Sequence, residues 1–78
     1  MPRYYFHIKE EATTIRDNDG MELEELEAVR NEATQAAREM MSEDVREGYA
    51  PNGRTFVVTD ERGQTVLMFP FKDAIIQR

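Results

Sequence analysis

The sequence has no cysteine and only one histidine, so the commonest reactive and metal-binding side chains are almost missing. Without cysteine the chain can form neither disulfide bonds nor thiolate zinc sites. No apolar run approaches the roughly 20 residues that a membrane span needs. No linker or low-complexity segment interrupts the 78 residues. A chain of this length is therefore expected to form a single domain over residues 1–78.

Positive charge is also scarce, because ten lysines and arginines face sixteen acids and leave a net charge of −6. The imbalance lies in residues 22–47, which hold nine acids and three bases, while the rest of the chain is balanced. An acidic surface repels phosphate backbones, so nucleic acid is not an expected partner. The chain opens directly on a strand pattern without a signal-peptide segment, which predicts a cytoplasmic location.

Two strands are predicted at the start of the chain. Residues 3–9 alternate, with Tyr4, Phe6 and Ile8 on one face, which is typical of a half-buried strand. The β-branched residues 13–16 predict a second, shorter strand. The turn that follows, Asp17-Asn18-Asp19-Gly20, has strong turn chemistry.

A helix and a second strand pair are predicted after this turn. Residues 24–47 place apolar side chains at three- and four-residue steps, which predicts one long amphipathic helix that ends just before Gly48. Residues 54–59 and 64–71 predict the last two strands. The expected fold is therefore α+β: a two-layer ββαββ domain with one antiparallel four-stranded sheet and a single long helix packed on one face.

The hairpin between the last two strands sets their predicted register. Gly63 suits a turn closed by a left-handed residue with a bulge, so that Asp60 opposes Gln64. Val58 would then oppose Val66, and Phe56 would oppose Met68, all four beneath the helix.

This register predicts that the sheet face opposite the helix is apolar and serves for binding. The side chains expected there are Tyr5, His7, Val57, Leu67 and Phe69. Ordinary surface is less apolar than this, so something should cover the face. Three covers remain open: the C-terminal segment with Phe71, Ile75 and Ile76, a second copy of the chain, or a different protein.

Catalytic and metal-binding arrangements are not expected. His7 and Ser42, the only histidine and serine, belong to different elements, so a nucleophile and its base have no reason to meet. Asp17 and Asp19 fit two positions of a calcium loop. Ile15 and Leu26 would occupy its first and twelfth positions, and neither side chain can be a ligand. The sequence predicts no catalytic residue, no metal site and no cofactor.

Four stretches together resemble a known bacterial family. They are MPRYYFHI at residues 1–8, IRDNDGMEL at 15–23 leading into LEA at 26–28, FVVTDERG at 56–63, and FPFKDA at 69–74. The chain is similar over nearly its whole length to the short stand-alone proteins grouped as domain of unknown function 6894. That resemblance implies no activity and supplies no site residues.

A more distant resemblance is to HicB-type antitoxins, which also have a strand, an acidic turn, a strand and a helix opening like LEELEA, here at residues 23–28. Such a likeness implies a small basic protein as partner. The chain departs from that pattern because it has no appended DNA-binding segment and has a second hairpin after the helix.

Taken together, the sequence predicts a small protein without catalysis that binds other proteins through the sheet face opposite the helix, with a homodimer as one form. The alternative is an antitoxin-like or regulatory protein whose acidic helix binds a basic partner. A third hypothesis is an enzyme with a shallow site built from His7 and nearby carboxylates.

Overall fold

One antiparallel sheet and one long helix make up the computed structural model, which describes residues 1–50 and 53–75. The elements, in chain order, are β1 (Arg3–Glu10), β2 (Thr13–Ile15), β3 (Met21–Glu22), α1 (Leu26–Arg46), β4 (Thr55–Thr59), β5 (Thr65–Pro70) and a short 3₁₀ helix (Phe71–Ala74). This arrangement confirms the predicted α+β fold. It adds one very short strand, β3, before the helix.

The sheet has the strand order β2-β1-β4-β5, with β1 and β4 at its centre. β1 pairs with β4 along one edge, through Phe6 opposite Val58 and Ile8 opposite Phe56. Its other edge pairs with β2 near one end and with β3 near the other. The loop between β2 and β3 therefore lies against the middle of β1.

Helix α1 covers one face of the sheet with a stripe of small and medium side chains. The buried positions recur every four residues: Val29, Ala33, Ala37 and Met41. The two alanines allow the helix axis to approach the sheet closely. Leu26, the first apolar residue of the predicted helix, lies at the first helical position and is 55% exposed. No helix in the described part of the chain is long and apolar enough to span a membrane.

The end of α1 follows the prediction, since Glu47 is the C-cap residue and Gly48 comes directly after it. The backbone N–H of Gly48 donates to the Val45 carbonyl, and that of Tyr49 donates to the Asp44 carbonyl. This pair of bonds satisfies carbonyls that the last helical turn would otherwise leave without donors.

The predicted register between β4 and β5 is right at the turn and wrong beyond it. Asp60 opposes Gln64, as expected, through a 2.9 Å backbone hydrogen bond. Thr59 pairs with Thr65, but Val58 pairs with Leu67, so Val66 is an extra residue that forms a bulge. A bulge of this kind shifts every later pair by one position.

The bulge moves Leu67 and Phe69 from the open face to the helix side, which corrects their predicted placement. Phe69 opposes Phe56 and is 4% exposed, and Leu67 packs against the core. Met68 turns to the open face, where it is 59% exposed. Residues 66–69 are all apolar, so burial could be satisfied in either register and the sequence pattern did not discriminate between them.

The C-terminal segment also packs on the helix side of the sheet. Phe71 is fully buried, and its ring centroid lies 4.6 Å from that of Phe56. Arg38 on α1 donates from Nε to the Ala74 carbonyl at 2.7 Å. Ile75 is 54% exposed, and Ile76 lies outside the described residues. Residues 71–75 therefore do not cover the open face, contrary to one of the expected alternatives.

The turn between β1 and β2 contains one residue, Glu11, whose backbone conformation suits glycine better than glutamate. Glu11 has a φ of 55°, the left-handed region that costs a residue with a Cβ about 1–2 kcal/mol. We expect Glu11→Gly to raise the free energy of unfolding by up to about 1 kcal/mol, because glycine removes this strain but gains entropy in the unfolded chain. Urea denaturation measures the change. The matched control is Ala12→Gly, the next turn residue, which we expect to lose stability; equal effects at both positions would contradict the prediction.

Candidate functional site on the open sheet face

The open face, defined as the sheet surface opposite α1, consists of side chains from alternate positions of β1, β2, β4 and β5. His7, Val57 and Met68 form one row across β1, β4 and β5. Tyr5, Thr59 and Thr65 form the next row, and Thr14, Lys9 and Thr55 form the third. Three of the five side chains predicted for this face, namely Tyr5, His7 and Val57, therefore lie on it.

Polar and cationic side chains on the face were not singled out by the sequence reasoning. A shallow groove runs across it, lined among others by Lys9, Arg16, Thr14, Thr65 and Met68. None of its described lining residues is acidic. Strict alternation already predicts Lys9 on the same side of β1 as Tyr5 and His7, although the sequence reasoning did not count it among the binding residues. The face is thus mixed in character rather than apolar.

His7 lies at the centre of the face yet is only 7% exposed. Its Nδ1 accepts a hydrogen bond from the backbone N–H of Asp17 at 3.0 Å. Since Nδ1 is an acceptor, the neutral ring carries its proton on Nε2, which lies 3.1 Å from Thr59 Oγ1 and donates to it. The parallel ring of Tyr5 lies 6.4 Å away, centroid to centroid.

The tautomer of His7 is relevant to the hypothesis of an enzyme whose site is built from this histidine. A base that activates the Thr59 hydroxyl would need an unprotonated nitrogen facing it. Here the nitrogen that faces Thr59 is the donor, and the other nitrogen is occupied by a backbone N–H. The geometry therefore gives His7 the role of holding the loop after β2 and strand β4 against β1.

Asp17 fixes that loop against β1 through its carboxylate. Oδ2 accepts the backbone N–H of Phe6 at 3.0 Å, and Oδ1 accepts those of Asp19 and Gly20 at 3.1 Å. The carboxylate thus replaces the strand partner that β1 lacks between β2 and β3. The predicted turn is confirmed, and the carboxylate that the calcium template would use is bonded to backbone donors instead.

These contacts set the pKa of Asp17. Partial burial raises it, but the hydrogen bonds from Phe6, Gly20 and Asp19, together with the nearby His7, outweigh burial and lower the pKa below its ordinary value of 3.8. The folded protein therefore binds a proton at this carboxyl less readily than the unfolded chain does. The stabilisation that Asp17 provides is complete above pH 3.8 and is lost as the pH falls through the lowered folded value.

We therefore expect the stability of the wild-type protein to fall on acidification below about pH 4 more steeply than that of an Asp17→Asn variant, which has no carboxyl to titrate there. Urea denaturation at steps from about pH 5 to pH 2 measures the two slopes. Asp19→Asn, at an exposed neighbouring carboxyl, should keep the wild-type slope. Parallel slopes for wild type and Asp17→Asn would contradict the prediction.

A second polar cluster lies away from the open face and was missed by the sequence reasoning. Arg54, whose side chain is 10% exposed, forms an ion pair with Asp44 of α1. Its guanidinium carbon lies 4.9 Å from the centroid of the buried Phe71 ring. The signal in the sequence was Asp44, an acid that interrupts the apolar pattern of the helix. The cluster ties the end of α1 to the segment after β5.

Metal chemistry has no obvious location in the described residues, 1–50 and 53–75, where no group of three or more histidine or acidic side chains could hold an ion.

Comparison with known proteins gives one match. The model of a family described as "Domain of unknown function (DUF6894)" matches residues 3–72, which is most of the chain. Neither a curated protein nor a solved structure matches. The likeness to HicB-type antitoxins therefore stays a sequence-based expectation.

Proposed function

The chain belongs to the DUF6894 family, from which no activity carries over, and we propose that it is a small protein without catalysis that binds other proteins through its open face. The observation that supports this most directly is the exposure of Met68, which is 59% exposed on the open face of the edge strand β5, opposite Val57. Together with Val57 and Tyr5 it forms contiguous apolar surface, which is more typical of a binding surface than single exposed apolar side chains are.

Two further features support the absence of catalysis and the location. The one histidine holds the fold together in a tautomer that cannot activate Thr59. The lack of cysteine supports a protein of the reducing cytoplasm. The partner can be another protein or a second copy of the chain, since both can bury the same face.

Position-specific photo-crosslinking tests the proposal. A photoreactive residue replaces Met68 on the open face in one variant and the exposed Gln35 on the outer surface of α1 in another. We expect discrete adducts from position 68 in the producing cells and none from position 35. An adduct of twice the chain mass would identify a homodimer. Adducts from position 35 alone, or none from position 68, would overturn the proposal.

A second candidate rests on the acidic character of residues 22–47, which carry the whole net charge of −6. In this alternative the outer surface of α1 binds a basic protein, as an antitoxin or regulator would. Crosslinks from position 35 that disappear at high salt would favour it, because attraction between exposed charges is screened.

A further inference from the structure

The groove on the open face combines two cations with an apolar floor. Lys9 and Arg16 are both exposed and line it together. In the part of the chain that the structure describes, neither is paired with a carboxylate, whereas Arg3, Arg46 and Arg54 all are. Val57 and Met68 provide the apolar surface beside them. The groove therefore offers unsatisfied positive charge next to a surface that prefers hydrocarbon.

The distribution of charge over the molecule makes this groove unusual. The protein as a whole is acidic, and its excess acid is in residues 22–47, most of which form the helix on the opposite layer. Three acids border the groove at one end, where Asp17, Asp60 and Glu61 line an adjoining hollow together with Arg16. The carboxylates of Asp17 and Asp60 accept backbone N–H groups there. A positive groove on a negative protein selects against general cation binding and favours an anionic ligand.

The nature of the anion follows from what else the groove provides. A free phosphate would use the cations and the threonine hydroxyls but would leave Met68 and Val57 uncovered. A nucleic acid backbone would meet the electrostatic repulsion of the protein as a whole, which carries a net charge of −6. The described lining of the groove offers no exposed aromatic platform for single-stranded bases, since its one ring, His7, is 7% exposed and Tyr5 is not part of the lining. A peptide whose carboxylates alternate with apolar side chains can pair with the two cations of the groove and also cover its apolar side chains.

We infer that the occupant of the open face is an acidic polypeptide segment. Its carboxylates would pair with Lys9 and Arg16, and one of its apolar side chains would pack on Val57 and Met68. This inference rests on the proposed function and names the chemistry of its partner. The segment belongs to a partner protein, because the similar stretch of this chain, Glu-Leu-Glu-Glu-Leu-Glu at residues 22–27, begins in β3 and ends in α1.

The test uses the full chain and a short fluorescent peptide in which glutamate alternates with leucine, with binding followed by anisotropy at low salt. A peptide of the same length in which glutamine replaces glutamate keeps the shape and removes the charge. We expect the Lys9→Glu/Arg16→Glu double variant to bind the acidic peptide at least about tenfold more weakly than wild type, since each carboxylate then meets a like charge.

The matched control is Arg30→Glu/Arg46→Glu, which changes the net charge equally on the helix, away from the groove. It should bind the acidic peptide as wild type does, apart from a small general repulsion. Circular dichroism verifies that both double variants are folded.

Three results would overturn the inference. They are equal binding of the glutamine and glutamate peptides, equal losses in the two double variants, and tighter binding of a single-stranded oligonucleotide than of the acidic peptide. Absence of peptide binding together with crosslinks from position 68 would overturn the acidic-segment inference alone and leave the open face as the binding surface. Absence of both would overturn the proposed function as well.

Discussion

Phe71→Ala is expected to lower the free energy of unfolding by about 3–5 kcal/mol, the usual cost of removing a buried phenylalanine ring. Phe71 is fully buried, contacts Phe56, and carries the guanidinium of Arg54 above its ring. For a domain of 78 residues this is a large share of the total, which at about 0.05–0.15 kcal/mol per residue is a few to a dozen kcal/mol. Much of the variant should be unfolded at 37 °C.

Urea denaturation followed by circular dichroism measures the loss. The matched control is Tyr49→Ala, an aromatic truncation at a side chain that is 68% exposed, which should change the free energy of unfolding by less than about 0.5 kcal/mol. A loss below about 1 kcal/mol for Phe71→Ala would mean that the segment after β5 does not belong to the core.

Gly20→Ala is the second substitution with a large expected effect. Gly20 has a φ of +72°, which costs a residue with a Cβ about 1–2 kcal/mol. A Cβ at this position would also lie 2.9 Å from Arg3 Cγ and from Tyr5 Cε2, and 3.0 Å from the Tyr4 carbonyl oxygen. The carbonyl belongs to the backbone of β1 and cannot move without disturbing the strand, so overpacking adds about 1–3 kcal/mol.

Gly63→Ala separates the cost of the backbone conformation from the cost of overpacking in the stability loss expected for Gly20→Ala. Gly63 has a similar φ of +82°, but an added Cβ there would meet open space. Its substitution should therefore cost only the conformational part, about 1–2 kcal/mol. Equal losses at Gly20 and Gly63 would contradict the close approach of the loop to β1. Faster hydrogen exchange at the Phe6 amide in Gly20→Ala would locate the damage, since that amide donates to Asp17.

The sequence predicted the elements of the fold well because each has a local cause. Alternation along residues 3–9 specifies β1, and four-residue steps of small side chains specify α1. The turn after Thr59 follows from Asp60, whose carboxylate accepts two backbone N–H groups, and from a glycine with positive φ. Such signals lie within a few residues of each other, so no knowledge of tertiary contacts is needed to read them.

The content of the open face could be predicted only in part, because it depends on one extra residue in β5. Without the bulge at Val66, Leu67 and Phe69 would face outward and the surface would be apolar. With the bulge they are in the core, and Met68, Lys9 and Arg16 give the face its mixed character. A bulge has no sequence signal in a run of four apolar residues, because either register buries two of them.

The Asp17 loop was recognised as a turn, but its role was not. The contacts of its carboxylate with Phe6, and of its backbone with His7, join residues ten or more positions apart. Only the fold reveals that one acidic side chain fills the gap between two strands along the edge of β1.

The structure of the two edges of the sheet affects how the protein behaves at high concentration. One margin is formed by strands of three and two residues with the Asp17 loop between them, and the other by β5, which is bulged at Val66 and ends at Pro70. Short, interrupted or proline-terminated margins are poor templates for a further strand. Edge-to-edge growth into fibrils is thereby disfavoured, although the sheet still leaves the side chains of its open face accessible.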